Sequence, residues 1–195
     1  MDDPEMAERL KRSFVGIAGA GGLGSNVAVA LARAGVGRLL VVDFDRVEAS
    51  NLNRQYFFRD QVGRLKVEAL KENIERIGSG TVVDIMDRKL EKGRMHEVFG
   101  EVDVVVEALD LAETKAQFIK DVLTNLRGKP LVAASGVAGI GRSDHVVVER
   151  FGDLYLVQDH GARSSDEEVL LAPKVGLFAN YQANIVLEIL SGGGR

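Results

Sequence analysis

Apolar positions fall into two rhythms along this chain. Short, largely apolar runs occupy residues 14–18, 39–43, 81–86, 102–108 and 130–135. Such runs suit strands buried on both faces. Between them, apolar residues return every three or four positions, as Val27, Ala30, Leu31 and Ala34 do, and again Val67, Leu70, Ile74 and Ile77. That spacing predicts helices resting one face on a core, with Gly35 and Gly78 at their ends. Ala116, Ile119, Leu123 and Leu126 mark a further helix, residues near 93–99 a short one, and 173–190 a last one. Residues 1–13 are polar and of mixed charge, fit for a short helix or arm. The runs 145–149 and 154–157 lie close enough to pair as an antiparallel hairpin or meander.

Strands alternating with helices over 14–135 predict a doubly wound α/β fold, a mostly parallel Rossmann-like sheet with helices on both faces. The 145–157 pair makes a short antiparallel addition near the C-terminus. Residues 1–195 are expected to form one domain. Ligands of such sheets bind beyond the carboxyl ends of the strands, where Asp43 and Asp110 are expected. Two long polar connections, 44–61 and 158–169, are candidates for function.

Composition narrows the chemistry. Of 195 residues 46% are hydrophobic and 28% charged, with a formal charge of −4. This balance suits a soluble globular protein and gives no general attraction for nucleic acid or an anionic membrane. The uncharged stretch 15–32 approaches spanning length, but glycines, Ser25 and Asn26 cluster in its middle. A strand, a glycine loop and a helix account for it better than a membrane span. The opening residues lack the basic segment of a signal peptide, and a cytoplasmic protein is expected. With no cysteine, disulfides, a thiolate nucleophile, a persulfide and a cysteine zinc site are excluded. His96, His145 and His160 lie far apart, so no zinc is expected.

Gly19-Ala20-Gly21-Gly22-Leu23-Gly24 matches G-x-G-x-x-G between a predicted strand and a predicted helix. Glycines there let backbone N–H groups approach a phosphate at the positive helix end. Asp43 ends the second strand, where a carboxylate accepts ribose hydroxyls or, more plainly, caps the following turn. To this point an NAD-dependent oxidoreductase fits equally well. Residues 45–55 then bring Asp45, Ser50, Asn51, Asn53 and Arg54, followed by Gly63, Lys66 and Asp110. A nicotinamide has no use for Asn, Arg and Lys together, whereas a triphosphate does, and a carboxylate can hold Mg²⁺. Taken singly, Arg54 and Lys66 would read as surface charge.

With these motifs in this order the sequence resembles the ThiF/MoeB/HesA family, bacterial relatives of ubiquitin-activating enzymes. The carrying residues are Gly19 to Ser25, Asp43-Phe44-Asp45, Ser50 to Gln55, Gly63 to Val67, and Asp110. The resemblance covers residues 14–140 closely and the remainder more loosely. It implies an adenylyltransferase in which the C-terminal glycine carboxylate of a ubiquitin-like sulfur carrier attacks the α-phosphate of ATP. It also implies a homodimer, a Gly19–Gly24 loop against the nucleotide, and Asp43 on the ribose. By the same resemblance Asn51, Arg54 and Lys66 contact phosphates and Asp110 organises Mg²⁺, with Arg54, Lys66 and Asp110 as the catalytic set. Gly136 to Gly139 and residues 174–184 are similar to the short branch that serves the thiamine carrier ThiS; molybdopterin-type carriers need the same chemistry. Several features depart from the family. Leu111 stands where many members have Asn, and Lys115 where they often have Arg. The N-terminal arginine arm has no clear match, with Arg9 and Arg12 as candidates against an ordinary solvated face. A degenerate, non-catalytic binding module is the corresponding alternative. The 158–169 loop is the expected clamp on the carrier tail, against a plain spacer.

Overall fold

A computed structural model of the chain describes residues 3–162 and 168–192. The first helix, α1 (Pro4–Arg12), starts on Asp3, whose carboxylate accepts the N–H groups of Glu5 and Met6. Then follow β1 (Phe14–Ala18), α2 (Gly22–Ala34), β2 (Arg38–Asp43), α3 (Lys66–Glu75), β3 (Val82–Asp87) and β4 (Val104–Glu107). The chain continues through α4 (Ala112–Asn125), β5 (Leu131–Ser135), β6 (Val146–Phe151), β7 (Leu154–Asp159) and α5 (Ala172–Leu190). Among the described residues the strands form one sheet in the order β3-β2-β1-β4-β5-β7-β6. Every pairing is parallel except that of β6 with β7, so the expected α/β sheet with an antiparallel addition is what forms.

The sheet carries a core on each face. One gathers Val27 and Leu31 of α2, Leu70 and Ile74 of α3, and Phe178 of α5 over Ile17 and Val41. The other sets Met95, Phe99, Phe118 and Val122 over Leu40 and Val105. The rings of Phe99 and Phe118 meet edge-on at 5.6 Å. A side chain at Gly16 would sit 2.6 Å from the Phe99 ring, so a bare strand position lets Phe99 close this face. Burying each such ring contributes about 2–3 kcal/mol. Gly35 ends α2 in a left-handed turn (φ 92°), and the N–H of Val36 returns to the Leu31 carbonyl.

Most element limits move by one or two residues from those expected, but two differences have physical causes. The loop expected from residue 158 begins later, because Gln158 and Asp159 continue β7 opposite Val147 and Val146. Their polarity hid the strand; Asp159 is buried with cationic partners rather than solvated. Much of the expected clamp, residues 163–167, lies outside the described residues. The N-terminal segment is helical, with Arg9 and Arg12 paired to Glu5 and Glu8 of their own helix. Arg9 also donates to the Ser191 carbonyl at the end of α5. Among the described residues no helix is long and apolar enough to cross a membrane.

Candidate functional site

The order of strands turns between β1 and β4, and β1 runs at this point into Gly19–Gly24. The loop closes on its own backbone. A side chain at Gly24 would lie 1.9 Å from the Gly19 carbonyl oxygen, and one at Gly19, itself at φ 99°, would lie 2.5 Å from the Ala108 oxygen. At Gly21 the nearest neighbour is the Gln55 amide, 3.8 Å away. Gly21 caps α2 without a side-chain hydrogen bond. The first N–H groups of a thirteen-residue helix therefore stay free of a side-chain cap, and they favour an anion.

Asp43 holds this loop. Its Oδ2 accepts the Ala20 N–H at 2.6 Å and its Oδ1 the Asp45 N–H at 2.7 Å. The turn-capping role set beside the ribose role in the sequence is thus present, yet each carboxylate oxygen keeps a second acceptor position. Asp45 in turn pairs with Lys66 at 2.9 Å, at the first position of α3. The Lys66 side chain is 8% exposed, so this cation is held in place rather than swinging in solvent.

The segment 50–56 packs across the start of α2. Asn26 donates to the carbonyls of Gly22 and Arg54, and Tyr56 N–H donates to the Ser25 hydroxyl. Arg54 therefore lies beside the loop, its Cγ 3.8 Å from where a side chain at Gly22 would begin. Its Nη1 donates to the Ser50 carbonyl and to Asn53 Oδ1. Ser50 and Asn51 are engaged in their own turn: the Ser50 hydroxyl donates to Glu48, and Asn51 Oδ1 accepts the Glu48 N–H. These hydrogen bonds shape the loop. Gln55, quoted above without a role, lies beside Gly21 with Oε1 buried and unpaired among the described residues.

Asp110 follows β4 and is exposed, its Oδ1 accepting the Leu111 N–H. Leu111 beside it is also exposed. Flanking Asp110 in sequence is a pair that sequence reasoning missed, Glu107 and Lys115, in contact at 2.8 Å with the carboxylate fully enclosed. Burial pushes the Glu107 carboxyl up, while the charge and hydrogen bond of Lys115 oppose this. A glutamate closing an apolar strand reads as an exposed strand end, so nothing in the local pattern marks it as buried.

A second buried carboxylate, Asp159, ends β7. Lys174 of α5 reaches it at 2.9 Å and also donates to the Ala138 carbonyl; Arg142 adds a contact at 3.3 Å. Burial works to raise this carboxyl, but hydrogen bonds from Lys174 and Gly161 and the charges of Lys174 and Arg142 hold it below its ordinary value. Arg142 itself has a left-handed backbone (φ 54°), as do Gly136, Gly139 and Gly141. Between this loop and α5 opens a cleft of about 300 Å³, lined by Gly139, Ile140, Ser143, Leu171, Pro173 and Lys174. The next residue of α5, Val175, would meet a side chain at Gly22 at 3.1 Å, so the cleft and the glycine loop share the first turn of α5.

Residues 2–195 match the ThiF family. A molybdopterin-synthase adenylyltransferase of Haemophilus influenzae is 32% identical over 90% of this chain and 74% of its own length. A sulfur carrier protein adenylyltransferase of Thermus thermophilus is 38% identical over 66% of this chain and 47% of its own. Against relatives named as both adenylyltransferase and sulfurtransferase, the chain spans only 33% and 44% of their length. Among solved structures, the E. coli tRNA N6-threonylcarbamoyladenosine dehydratase TcdA, in complex with ATP, superposes with a TM-score of 0.87 over 97% of this chain and 90% of that one. At 21% identity that likeness concerns the fold.

Proposed function

This chain belongs to the ThiF family, and from that premise we propose that it uses ATP and Mg²⁺ to adenylate the C-terminal glycine carboxylate of a ubiquitin-like sulfur carrier. The observation that carries the reading is the uncapped glycine turn at the start of α2, with Asp43 bonded to it and Arg54 packed beside it. Free helix N–H groups suit a phosphate, the remaining acceptor positions of Asp43 suit ribose hydroxyls, and Arg54 and Lys66 offer charge to phosphate oxygens.

One oxygen of the carrier's carboxylate bonds to the α-phosphorus as the bond to the bridging oxygen breaks and pyrophosphate departs. The carboxylate is already ionised at neutral pH, so no general base is required. The protein's part is placement and charge. Arg54 and Lys66 would contact the phosphates, and Asp110 would hold the Mg²⁺ that neutralises the leaving pyrophosphate. The cleft beside α5 suits a narrow, side-chain-poor tail ending at the glycine loop, and residues 158–169 would enclose that tail. A homodimer in the cytoplasm is part of the same reading.

For the carrier, the resemblance of residues 136–139 and 174–184 to the short branch favours a ThiS-like protein of thiamine thiazole synthesis. The name of the Haemophilus relative favours a molybdopterin-type carrier as the second reading. Mixing the protein with ATP, Mg²⁺ and each carrier separates them: an acyl-adenylate adds about the mass of AMP less one water to the true partner. No adduct on either carrier counts against the enzyme and for a binding module. Calorimetry is expected to show ATP–Mg²⁺ binding and no comparable response to NAD; tight NAD binding with silence toward ATP would overturn the reading.

A further inference from the structure

The turn between β4 and α4 presents Asp110, yet Asp110 makes almost nothing that holds itself in place. Among the described residues its carboxylate accepts only the N–H of the next residue. The preceding residue, Leu109, is held at both of its backbone groups by side chains. Its N–H donates to Glu107 Oε1 at 2.7 Å, and its carbonyl accepts from Lys115 Nζ at 3.0 Å. The same Lys115 Nζ donates to Glu107 Oε1 at 2.9 Å and lies 2.8 Å from Oε2. Among the described residues the polar contacts of the ammonium therefore all go to Glu107 and Leu109.

The surroundings of the pair are rigid. Ala108 N–H donates to the Ala18 carbonyl, and the Ala108 oxygen presses on Gly19. Gln182 of α5 donates to the Glu107 carbonyl. A buried ion pair is a poor source of stability, because removing two charges from water offsets most of their attraction. An apolar pair of similar volume would serve the core as well. What an apolar pair cannot do is grip the amide and the carbonyl of Leu109 at once.

We propose that Glu107 and Lys115 are positioning residues that set the backbone of Leu109 and thereby aim Asp110 at the glycine loop. This rests on the adenylation reading for its kinetic consequence, though not for its structural one. Lys115 touches no substrate in this role; it acts through the turn. The effect belongs on the chemical step, because displacing a group by about an ångström costs up to about a hundredfold in rate while binding elsewhere is kept.

The decisive variant is the neutral double Glu107→Gln/Lys115→Met, which avoids leaving one buried charge unpaired. It is expected to melt within a few degrees of the native protein and to bind ATP within about threefold, since the glycine loop and Asp43 are intact. Adenylate formation at saturating ATP and carrier is expected to fall up to about a hundredfold. Amide exchange at residues 109–111, measured without nucleotide, is expected to rise at least about tenfold. Lys115→Arg, which keeps charge and donors, should recover most of the rate. Native turnover and native exchange in a double variant that melts normally would overturn the proposal. Should the native protein adenylate no carrier, the function falls, while exchange at 109–111 still decides whether the pair positions the turn. If the double variant fails to fold, the same exchange and rate measurements on Glu107→Gln alone take its place, and unaltered values there would reject the idea.

Discussion

Asp110→Ala is expected to lower carrier adenylation about a thousandfold while leaving the melting temperature almost unchanged. The two halves of this result come from different features of one residue. The side chain is exposed and, among the described residues, its one hydrogen bond is from the adjacent Leu111 N–H, so its removal uncovers no core and orphans no buried donor. Changes at such positions usually fall within about 0.5 kcal/mol. For chemistry the carboxylate is the candidate ligand of Mg²⁺, and losing one preorganised electrostatic group at a reacting phosphate costs about 10²–10³ in rate. Pyrophosphate exchange that depends on the carrier measures the first effect, and a thermal scan the second. A variant that unfolds, with its folded fraction fully active, would make Asp110 a structural residue.

Asp159→Ala should produce the opposite pattern, a large loss of stability. Lys174 keeps its charge with a side chain only 5% exposed and would retain the Ala138 carbonyl alone among its present partners. Removing one member of a buried pair costs about 3–5 kcal/mol, which for a chain of this size lowers the melting temperature by roughly 10 °C. Asp159→Leu combined with Lys174→Met is expected to recover much of this, because it removes both charges. The native pair also carries a pH dependence of definite sign. The folded carboxyl titrates below its ordinary value, so it contributes stability that is complete above the unfolded value of about 4 and is lost as pH falls through the folded one. Denaturation midpoints should therefore decline more steeply in acid for the native protein than for the double variant. Equal acid slopes would remove Asp159 from the account.

The fold was legible because its signals are local and repeated. Apolar runs such as 14–18 and 39–43 fit a buried parallel sheet, and Gly35 stops α2 where the periodicity ends. The glycine loop and Asp43 were legible for the same reason, since their spacing carries their geometry. The site became less legible wherever a side chain's partner lies far along the chain. Lys66 taken singly read as surface charge but is enclosed beside Asp45, and nothing in the sequence showed that Asn51 Oδ1 accepts the Glu48 N–H. Glu107 with Lys115, and Asp159 with Lys174, look like ordinary charges until the strands that enclose them are assembled. Polarity at Gln158 and Asp159 likewise disguised the end of β7 as the start of a loop.

The path from β5 to β6 has a thermodynamic consequence. Gly136, Gly139, Gly141 and Arg142 all turn left-handed there, and such a segment gives up more chain entropy on ordering than one of ordinary residues. It is pinned to α5 and β7 largely through Asp159 and its cations. Local opening should therefore require less free energy here than in the neighbouring strands. Acid, by neutralising that one carboxylate, would soften the rim of the cleft before the sheet yields. Amides of residues 136–145 would then exchange by sub-global fluctuation while those of β1 and β4 wait for complete unfolding.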